Sequence, residues 1–572
     1  MPACDTCRLR KIRCDRQSPC NSCVLSKFDC STSSKRSRGA RKVDLTLRQS
    51  GNSLHVLKPK TATNTSTVPR HNDLNGSSAK RISVAPPDPF KLPNVSLVAS
   101  EGVEFEGESS LHAHSKAAQD LLEQTLSNHS NVRDNPKMVA ALRSLRQIVD
   151  ADKIEPSQKK NNLVRLSGHR QSIYELQLPP TEAVLDILRK AKERTTFVFS
   201  PPLSFIPRDQ FTELCKNVFF RTEDYPISTA VIVHGTLNNL LKEFEWAEKD
   251  LTLRQKYSEW VKLCRTNLEM SISSLDILLP TTMESAQALI IAASYCMEIA
   301  QASSCKKFVI HGCMVVRSLG WHRSSSTKND SELLRNQKLL IFWVLYSLDK
   351  YLSLRLGQAS FIQDYDIDIP SPHMATSGPR TPSGRLDMWV RAGSVTSLVY
   401  EKLYSPGSLG QTDNMRIQSA LQLLKQVEEI KPTFYDKDNI SQLIQNPHSS
   451  PPAFFYEIND MLFKSDEITY HALLCMIYRA TPSGAMLTYD PAGRCIEHAR
   501  AALECHRYCT ATFKSQTEVW AMYLHWTILN TPFGHFTTLF SHVLKTHDRS
   551  DLERLQDFAA SMSGFSSFTA RI

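Results

Sequence analysis

Long apolar runs are missing from this 572-residue sequence. The longest, such as LLIFWVLY (339–346), fall far short of the ~20 residues that cross a bilayer, so no membrane partner is expected. No apolar signal core is visible in the opening MPACDTC. The expectation is an intracellular chain with reduced thiols. Enzyme signatures are missing too: there is no HExxH, GxSxG, GxGxxG or phosphate-cradling GxxxxGK. With no catalytic residue to name, the chain is expected not to be an enzyme. Aromatics nearly vanish from 31 to 135, where Phe90 and Phe105 stand alone. The stretch from 31 to about 108 is rich in Ser, Thr, Asn, Pro and Lys/Arg. It buries too little apolar surface to offset the entropy of ordering, so most of it is expected to be a disordered linker.

What the chain does have is concentrated at one end. Residues 1–42 carry eleven Lys/Arg against three Asp, which is +8 of the net +10. A basic end on a nearly neutral body points to a polyanion partner met by that end. Six of the fifteen cysteines lie in CDTCRLRKIRCDRQSPCNSCVLSKFDC (4–30), spaced C-x2-C-x6-C-x5-C-x2-C-x6-C. A shift of 16 maps Cys4, Cys7 and Cys14 onto Cys20, Cys23 and Cys30, and Leu9 onto Leu25. Each half reads as Cys-x2-Cys opening a short helix, then a loop with the third cysteine.

A soft dication such as zinc takes four thiolates in a tetrahedron. Six thiolates serve one ion with two to spare, or two ions if two sulfurs bridge. The internal repeat favours the symmetric arrangement, two Zn(II) with two bridges. The competing reading, a disulfide framework, suits small secreted domains. A unit of about thirty residues has almost no apolar core, so metal would be its main support. The halves differ in charge: RLRKIR presents Arg8, Arg10, Lys11 and Arg13, while VLSKFD has only Lys27 beside Asp29. Such cations suit phosphates and the guanine acceptors of the major groove.

The stretch resembles the fungal zinc binuclear cluster (Zn(2)-C6 type) DNA-binding domain. The match runs from Ala3 to Cys30 and includes all six ligands and a CR-x-RK-x-RC basic segment. The resemblance implies a double-stranded DNA partner and two Zn(II) held by Cys4, Cys7, Cys14, Cys20, Cys23 and Cys30, with Cys4 and Cys20 bridging. It also implies that Lys11 and Arg10 reach the major groove of a CGG-type triplet while Arg8 and Arg13 mostly meet phosphates. Lys35, Arg36, Arg38, Arg41 and Lys42 follow directly, suited to nuclear import or phosphate contact. Relatives often dimerise through a coiled coil here. Val43, Leu47, Leu54 and Leu57 keep part of that pattern, but SGNS (50–53) and Pro59 break it, so a homodimer is left open.

Helical periodicity takes over from about 109. Leu111, Ala118, Leu121, Leu122 and Thr125 share one face, Met138, Leu142, Leu145 and Ile148 a second stripe, and Val184, Leu185 and Leu188 a third. Residues 281–300 and 304–323 read as two packed helices. A helix over 332–358 is apolar nearly all round between Leu339 and Leu356, hence buried, and Gly357 is its C-cap. SFIQDYDIDIPSP then reads as an acidic surface loop. RSLGWHR, FW-x-LY-x-LD-x-x-LSL-x-LG and DYDID-x-P resemble the fungal transcription factor regulatory (middle homology) domain, with Lys350 and Gln358-Ala359 as departures. CIEHARAALECHRYC (495–509) places Cys495, His498, Cys505 and Cys509 on one helical face. His498 and Cys505 lie ~10 Å apart along it, too far to share an ion, so core packing is expected. Asp349 is expected to be a paired structural carboxylate, and Trp321 and Trp343 core.

The expected fold is mostly α: a zinc cluster module (1–34), a linker (35–108), a helical lead-in (109–189), a regulatory domain (190–450) and a C-terminal helical region (451–572). The expected function is a nuclear, sequence-specific regulator of RNA polymerase II transcription that works with the transcription machinery. The family resemblance adds control of a metabolic pathway or biosynthetic gene cluster. The alternative is a helical ligand-binding or enzymatic protein whose zinc module grips a protein partner, and the charge asymmetry of the halves argues against it. A single-stranded nucleic-acid binder would want aromatics beside the cations, and Phe28 is the only one in the module.

Overall fold

A computed structural model describes residues 4–9, 14–17, 19–26, 29–31, 105–128, 173–200, 204–372, 383–434, 453–482, 490–528 and 531–562. The chain divides into two units, Met1–Ser83 and Val84–Ile572. The described residues form helices and no strand. The stripe at Met138–Ile148 and residues 32–104 lie outside them.

The first unit holds α1 (Asp5–Leu9) and α2 (Asn21–Leu25). The second begins with α3 (Leu111–Asn128), α4 (Thr181–Glu193), α5 (Arg208–Phe219), α6 (Ile227–Ala247) and α7 (Leu251–Ser273). It continues through α8 (Met283–Glu298), α9 (Ala302–Ser318), α10 (Glu332–Leu356), α11 (Ser383–Val399), α12 (Pro406–Leu409), α13 (Asp413–Phe434) and α14 (Ala453–Ala480). It closes with α15 (Pro491–Phe513), α16 (Thr517–Tyr523), α17 (Gly534–Thr546) and α18 (Arg549–Met562).

Helices that face two neighbours join one core to the next. On α8, Ala288, Ile291, Ala292 and Tyr295 enter a core with α4–α7, while Ala286, Leu289, Ile290, Ala293 and Met297 enter a core with α9 and α10. Each set follows i, i+3, i+4, i+7 spacing, so one helix carries two stripes and reads as apolar all round. α10 is buried as expected from Leu339 to Leu356, and it passes the core on to α11, α13 and α14. α14 in turn shares a last core with α15–α18. Ser331 caps α10 at its start through Leu334 N–H, and Gly357 ends it in the left-handed region at φ 63°. Gly107 N–H donates to Leu356 O (2.9 Å), so close that a Cβ on Gly107 would meet the Gly357 carbonyl oxygen. This contact fastens the segment just before α3 to the end of α10.

Two expectations need correction. On α4 the buried face is Val184, Ile187, Leu188 and Ala191, and Leu185 is 40% exposed because it sits one residue round from that stripe. On α3 the buried residues include Ala113 and His114, whereas Leu111 is only half-buried. Trp321 and Trp343 are core, as expected.

Burial also sets how stability responds to acid. Burial holds His234, His471 and His535 down to about 4, His506 to about 3, and His114 well below the usual range. Unfolded histidine takes its proton near 6.5, so between that pH and about 4 the unfolded state binds more protons, and stability falls as pH falls. Two buried acids act in the opposite sense. Burial pushes Glu243 up to about 7 and Asp466 up to about 6, so the folded state holds their protons. The histidines outnumber them. The unfolding free energy read from urea titrations is expected to drop steadily from pH 6.5 to 5, by roughly 2–4 kcal/mol per pH unit. A flat or rising profile would contradict this balance.

Candidate metal centre

The six thiols of the first unit converge because each half repeats one local device. Cys4 immediately precedes α1, Cys7 lies inside it, and the Cys7 amide turns back to donate to Cys4 Sγ (3.4 Å). Cys20 stands at the N-cap of α2 and Cys23 inside it. The third cysteine of each half comes in from a loop, where Arg16 N–H donates to Cys14 Sγ (3.4 Å) and Cys20 N–H to Cys30 Sγ (3.2 Å). Asp15 accepts from Asn21 N–H (2.9 Å) at the start of α2. Asp5 N–H donates to Ser31 O (2.8 Å), and Thr6 Oγ1 to Asp29 O (2.8 Å), which ties the ends of the module together.

Among the described residues of this module, sulfur forms the core. Cys4, Cys7, Cys20 and Cys23 are 0–2% exposed, with Cys14 and Cys30 packed against them. The repeat-related Leu9 and Leu25 are 88% and 85% exposed, so among the described residues no aliphatic cluster supports the fold from within.

The sulfurs are spaced for metal. Cys4–Cys20 and Cys4–Cys23 are 3.7 Å apart, Cys7–Cys20 3.5 Å and Cys4–Cys14 3.9 Å. A disulfide is about 2 Å long. The edge of a tetrahedron with 2.3 Å metal–sulfur bonds is about 3.8 Å. The donors fall into two sets of four, Cys4, Cys7, Cys14, Cys20 and Cys4, Cys20, Cys23, Cys30, and Cys4 and Cys20 belong to both. Both of those thiols are also held below the ordinary cysteine value. The Cys7 amide lowers the Cys4 thiol to about 6. Burial raises Cys20, but hydrogen bonds from Cys23 and Cys7 outweigh it and leave it lowered. Burial pushes Cys7 up, and Cys23 up to about 12. A soft donor set in two sets of four fits two zinc ions, which take the thiols as thiolates.

Of the DNA-facing candidates, Arg8 lies within α1. Arg10, Lys11, Arg13, Lys35, Arg36, Arg38, Arg41 and Lys42 lie outside the described residues.

The candidate cluster at 495–509 is packing. Cys495 and Cys509 are fully buried among the aromatic and aliphatic side chains of the last core, and His498 Nδ1 pairs with His471 Nδ1 at 3.0 Å. Asp349 is a paired carboxylate, as expected: its Oδ1 meets Lys306 Nζ at 2.6 Å, and its Oδ2 accepts from the amides of Phe361 (2.8 Å) and Ile362 (2.9 Å). Sequence reading left Lys350 without a partner, but it reaches Asp364 (2.7 Å). The acidic loop is accordingly pinned down. Ile362 and Ile369 are buried, Asp366 pairs with Arg317 and Arg323, and Asp368 accepts from Ser324. Those partners come from α9, α10 and the turn between them, too distant in sequence for local patterns to reveal.

Comparison with known proteins agrees with this geometry. Residues 2–40 match the fungal Zn(2)-Cys(6) binuclear cluster domain, and residues 245–377 match the fungal specific transcription factor domain. An uncharacterized transcriptional regulatory protein of Schizosaccharomyces pombe is 26% identical over 97% of this chain and 86% of its own length. A second from the same yeast is 24% identical over 95% of this chain and 68% of its own. An ABC-transporter-regulating transcription factor of Aspergillus fumigatus is 26% identical over 20% of this chain and 14% of its own. No solved structure matches.

Proposed function

We propose that this chain, a fungal DNA-binding transcription factor with a Zn(2)-Cys(6) cluster domain and a fungal specific transcription factor domain, reads CGG-type triplets in double-stranded DNA through its first half-module. The observation that supports this most is the shared pair of thiols. Two sets of four donors with Cys4 and Cys20 in common fold a thirty-residue unit around metal, directly beside RLRKIR. In this reading Cys4 and Cys20 bridge two Zn(II), with Cys7 and Cys14 on one ion and Cys23 and Cys30 on the other. The zinc supplies the folding free energy of the module. Lys11 and Arg10 contact base edges, and Arg8 and Arg13 contact phosphates. Lys35, Arg36, Arg38, Arg41 and Lys42 add phosphate contacts or direct import to the nucleus. Residues 190–450 regulate, and the chain acts on the transcription machinery rather than as an enzyme.

Binding-site selection from random duplex DNA with the full chain, with and without a zinc chelator, tests the reading. Enrichment of CGG-like triplets that chelator abolishes supports it. Paired triplets at fixed spacing indicate a homodimer, and single triplets a monomer. No enrichment from zinc-loaded protein moves the function to a protein-binding module. Lys11→Ala is expected to cost about 1–3 kcal/mol on the selected site and little on random DNA. Arg8→Ala is expected to weaken both alike. Equal losses from the two variants on both DNAs would overturn the assignment of roles.

A further inference from the structure

The surface segment from Phe361 to Pro370 is held down by its acids. Asp364 pairs with Lys350 (2.7 Å), and Asp366 with Arg317 (3.0 Å) and Arg323. Asp368 is held differently. Among the described residues no ion pair reaches it, and its carboxylate and carbonyl are both met by one serine. Ser324 opens the 3-10 turn Ser324–Thr327 that follows α9. Its amide donates to Asp368 Oδ1 (2.6 Å), and its hydroxyl donates to the Asp368 carbonyl (2.7 Å). The hydroxyl oxygen also lies 3.3 Å from Asp368 Oδ1. The Asp368 amide returns a bond to His322 O (3.2 Å). One serine thus closes a staple between the turn and the acidic segment.

The staple closes over core. Ile369 is buried, and Trp343 Nε1 donates to Pro370 O (3.2 Å), so lifting residues 366–370 uncovers both. The serine itself is open to solvent, as are Ser325 and Ser326 beside it. It follows His322 and Arg323 directly, and the side chains of Arg317 and Arg323 are 40% and 43% exposed. An exposed hydroxyl beside surface arginines suits an enzyme that selects its serine by nearby positive charge.

We propose that Ser324 is a phosphorylation site for an arginine-directed protein kinase, and that phosphate there releases residues 366–370 from the turn. In the transfer, Ser324 Oγ forms a bond to the γ-phosphorus of ATP, and the bond from that phosphorus to the β,γ-bridging oxygen breaks. The hydroxyl proton passes to the kinase's carboxylate base, and ADP leaves. The staple then loses the hydroxyl hydrogen that held the Asp368 carbonyl. A group carrying about −1.5 to −2 charge stands where the hydroxyl oxygen lay beside the Asp368 carboxylate, and the like charges repel. Arg323, the adjacent residue, gains a stronger partner than Asp366, because phosphate offers more charge and more acceptor oxygens. Asp366 is thereby weakened as Asp368 is pushed away. Asp364 keeps Lys350, Tyr346 and Ser394, so the release stops short of it. Nothing in this proposal rests on the DNA reading, and its test uses no DNA.

The zinc-loaded full chain is incubated with ATP and a purified arginine-directed kinase. The phosphate is mapped by peptide mass spectrometry, and hydrogen exchange of residues 361–370 is followed before and after. The expected result is phosphate on Ser324 and exchange in residues 366–370 faster by about tenfold or more, with residues 361–364 unchanged. Ser324→Ala keeps the backbone amide that meets Asp368, so it is expected to exchange nearly as slowly as the unmodified wild type, with or without kinase. Ser324→Glu is expected to reproduce part of the acceleration without kinase. No phosphate at Ser324, or phosphate confined to Ser325 or Ser326, overturns the site. Phosphate on Ser324 with unchanged exchange overturns the release, and so does an acceleration that kinase-treated Ser324→Ala retains. Should Ser324→Glu not fold, the enzymatically modified wild type decides alone.

Discussion

Cys20→Ser is expected to strip the N-terminal module of both zinc ions and abolish its DNA binding, whereas Cys30→Ser leaves about one ion per chain. The difference follows from membership. Cys20 belongs to both four-thiol sets, and Cys30 to one. A serine hydroxyl is a poor ligand for a soft dication, so losing Cys20 leaves each ion three thiolates, while losing Cys30 spares the set of Cys4, Cys7, Cys14 and Cys20. Among the described residues the module's core is sulfur, and Leu9 and Leu25 point to solvent. Metal binding and folding are then one event, and losing the first loses the second. Zinc analysis of the purified variants, read beside duplex-DNA titrations, checks this. If Cys20→Ser and Cys30→Ser retain the same zinc, Cys20 is not shared. Acid should act like the substitutions, because protons compete with the metal for thiolates.

Much of this was legible in the sequence because the determining signals are local. Two Cys-x2-Cys-x6-Cys runs a fixed 16 residues apart placed all six donors, and the structure closes them through hydrogen bonds between near neighbours such as Cys7 N–H to Cys4 Sγ. The all-round apolar stretch ending at Gly357 gave α10 and its cap for the same reason. What escaped was carried by contacts distant in the chain. Asp349 could be read as paired, but its lysine lies 43 residues away on α9. His114 carries no signal of its own in the sequence, and the docking of α3 on α17 buries it. Leu185 matched the apolar pattern of α4 as well as Ile187 does, and the face chosen depends on which side α4 presents to the core.

Asp349→Ala is expected to destabilise the helical body by about 3–5 kcal/mol. Asp349 is completely buried, and its two oxygens serve three donors. One binds Lys306, itself 4% exposed, and the other binds the amides of Phe361 and Ile362. Removing it strands a buried ammonium and orphans two amides in one step. Lys350, the next residue on α10, holds the same segment from the opposite sign, donating to Ile362 O (2.9 Å) and pairing with Asp364. The two together hold residues 361–364 against α10. Lys306→Met should cost less than Asp349→Ala, because the carboxylate left behind keeps two amide donors. The pair should couple by about 0.5–3 kcal/mol in a double-mutant cycle, since the methionine also removes the charge that Asp349→Ala strands. Urea unfolding of the full chain measures all three variants. A cost for Asp349→Ala below about 1 kcal/mol would mean that the ion pair contributes little to the fold. A cost for Lys306→Met that exceeded it would mean that the lysine, and not the amides, dominates the burial of Asp349.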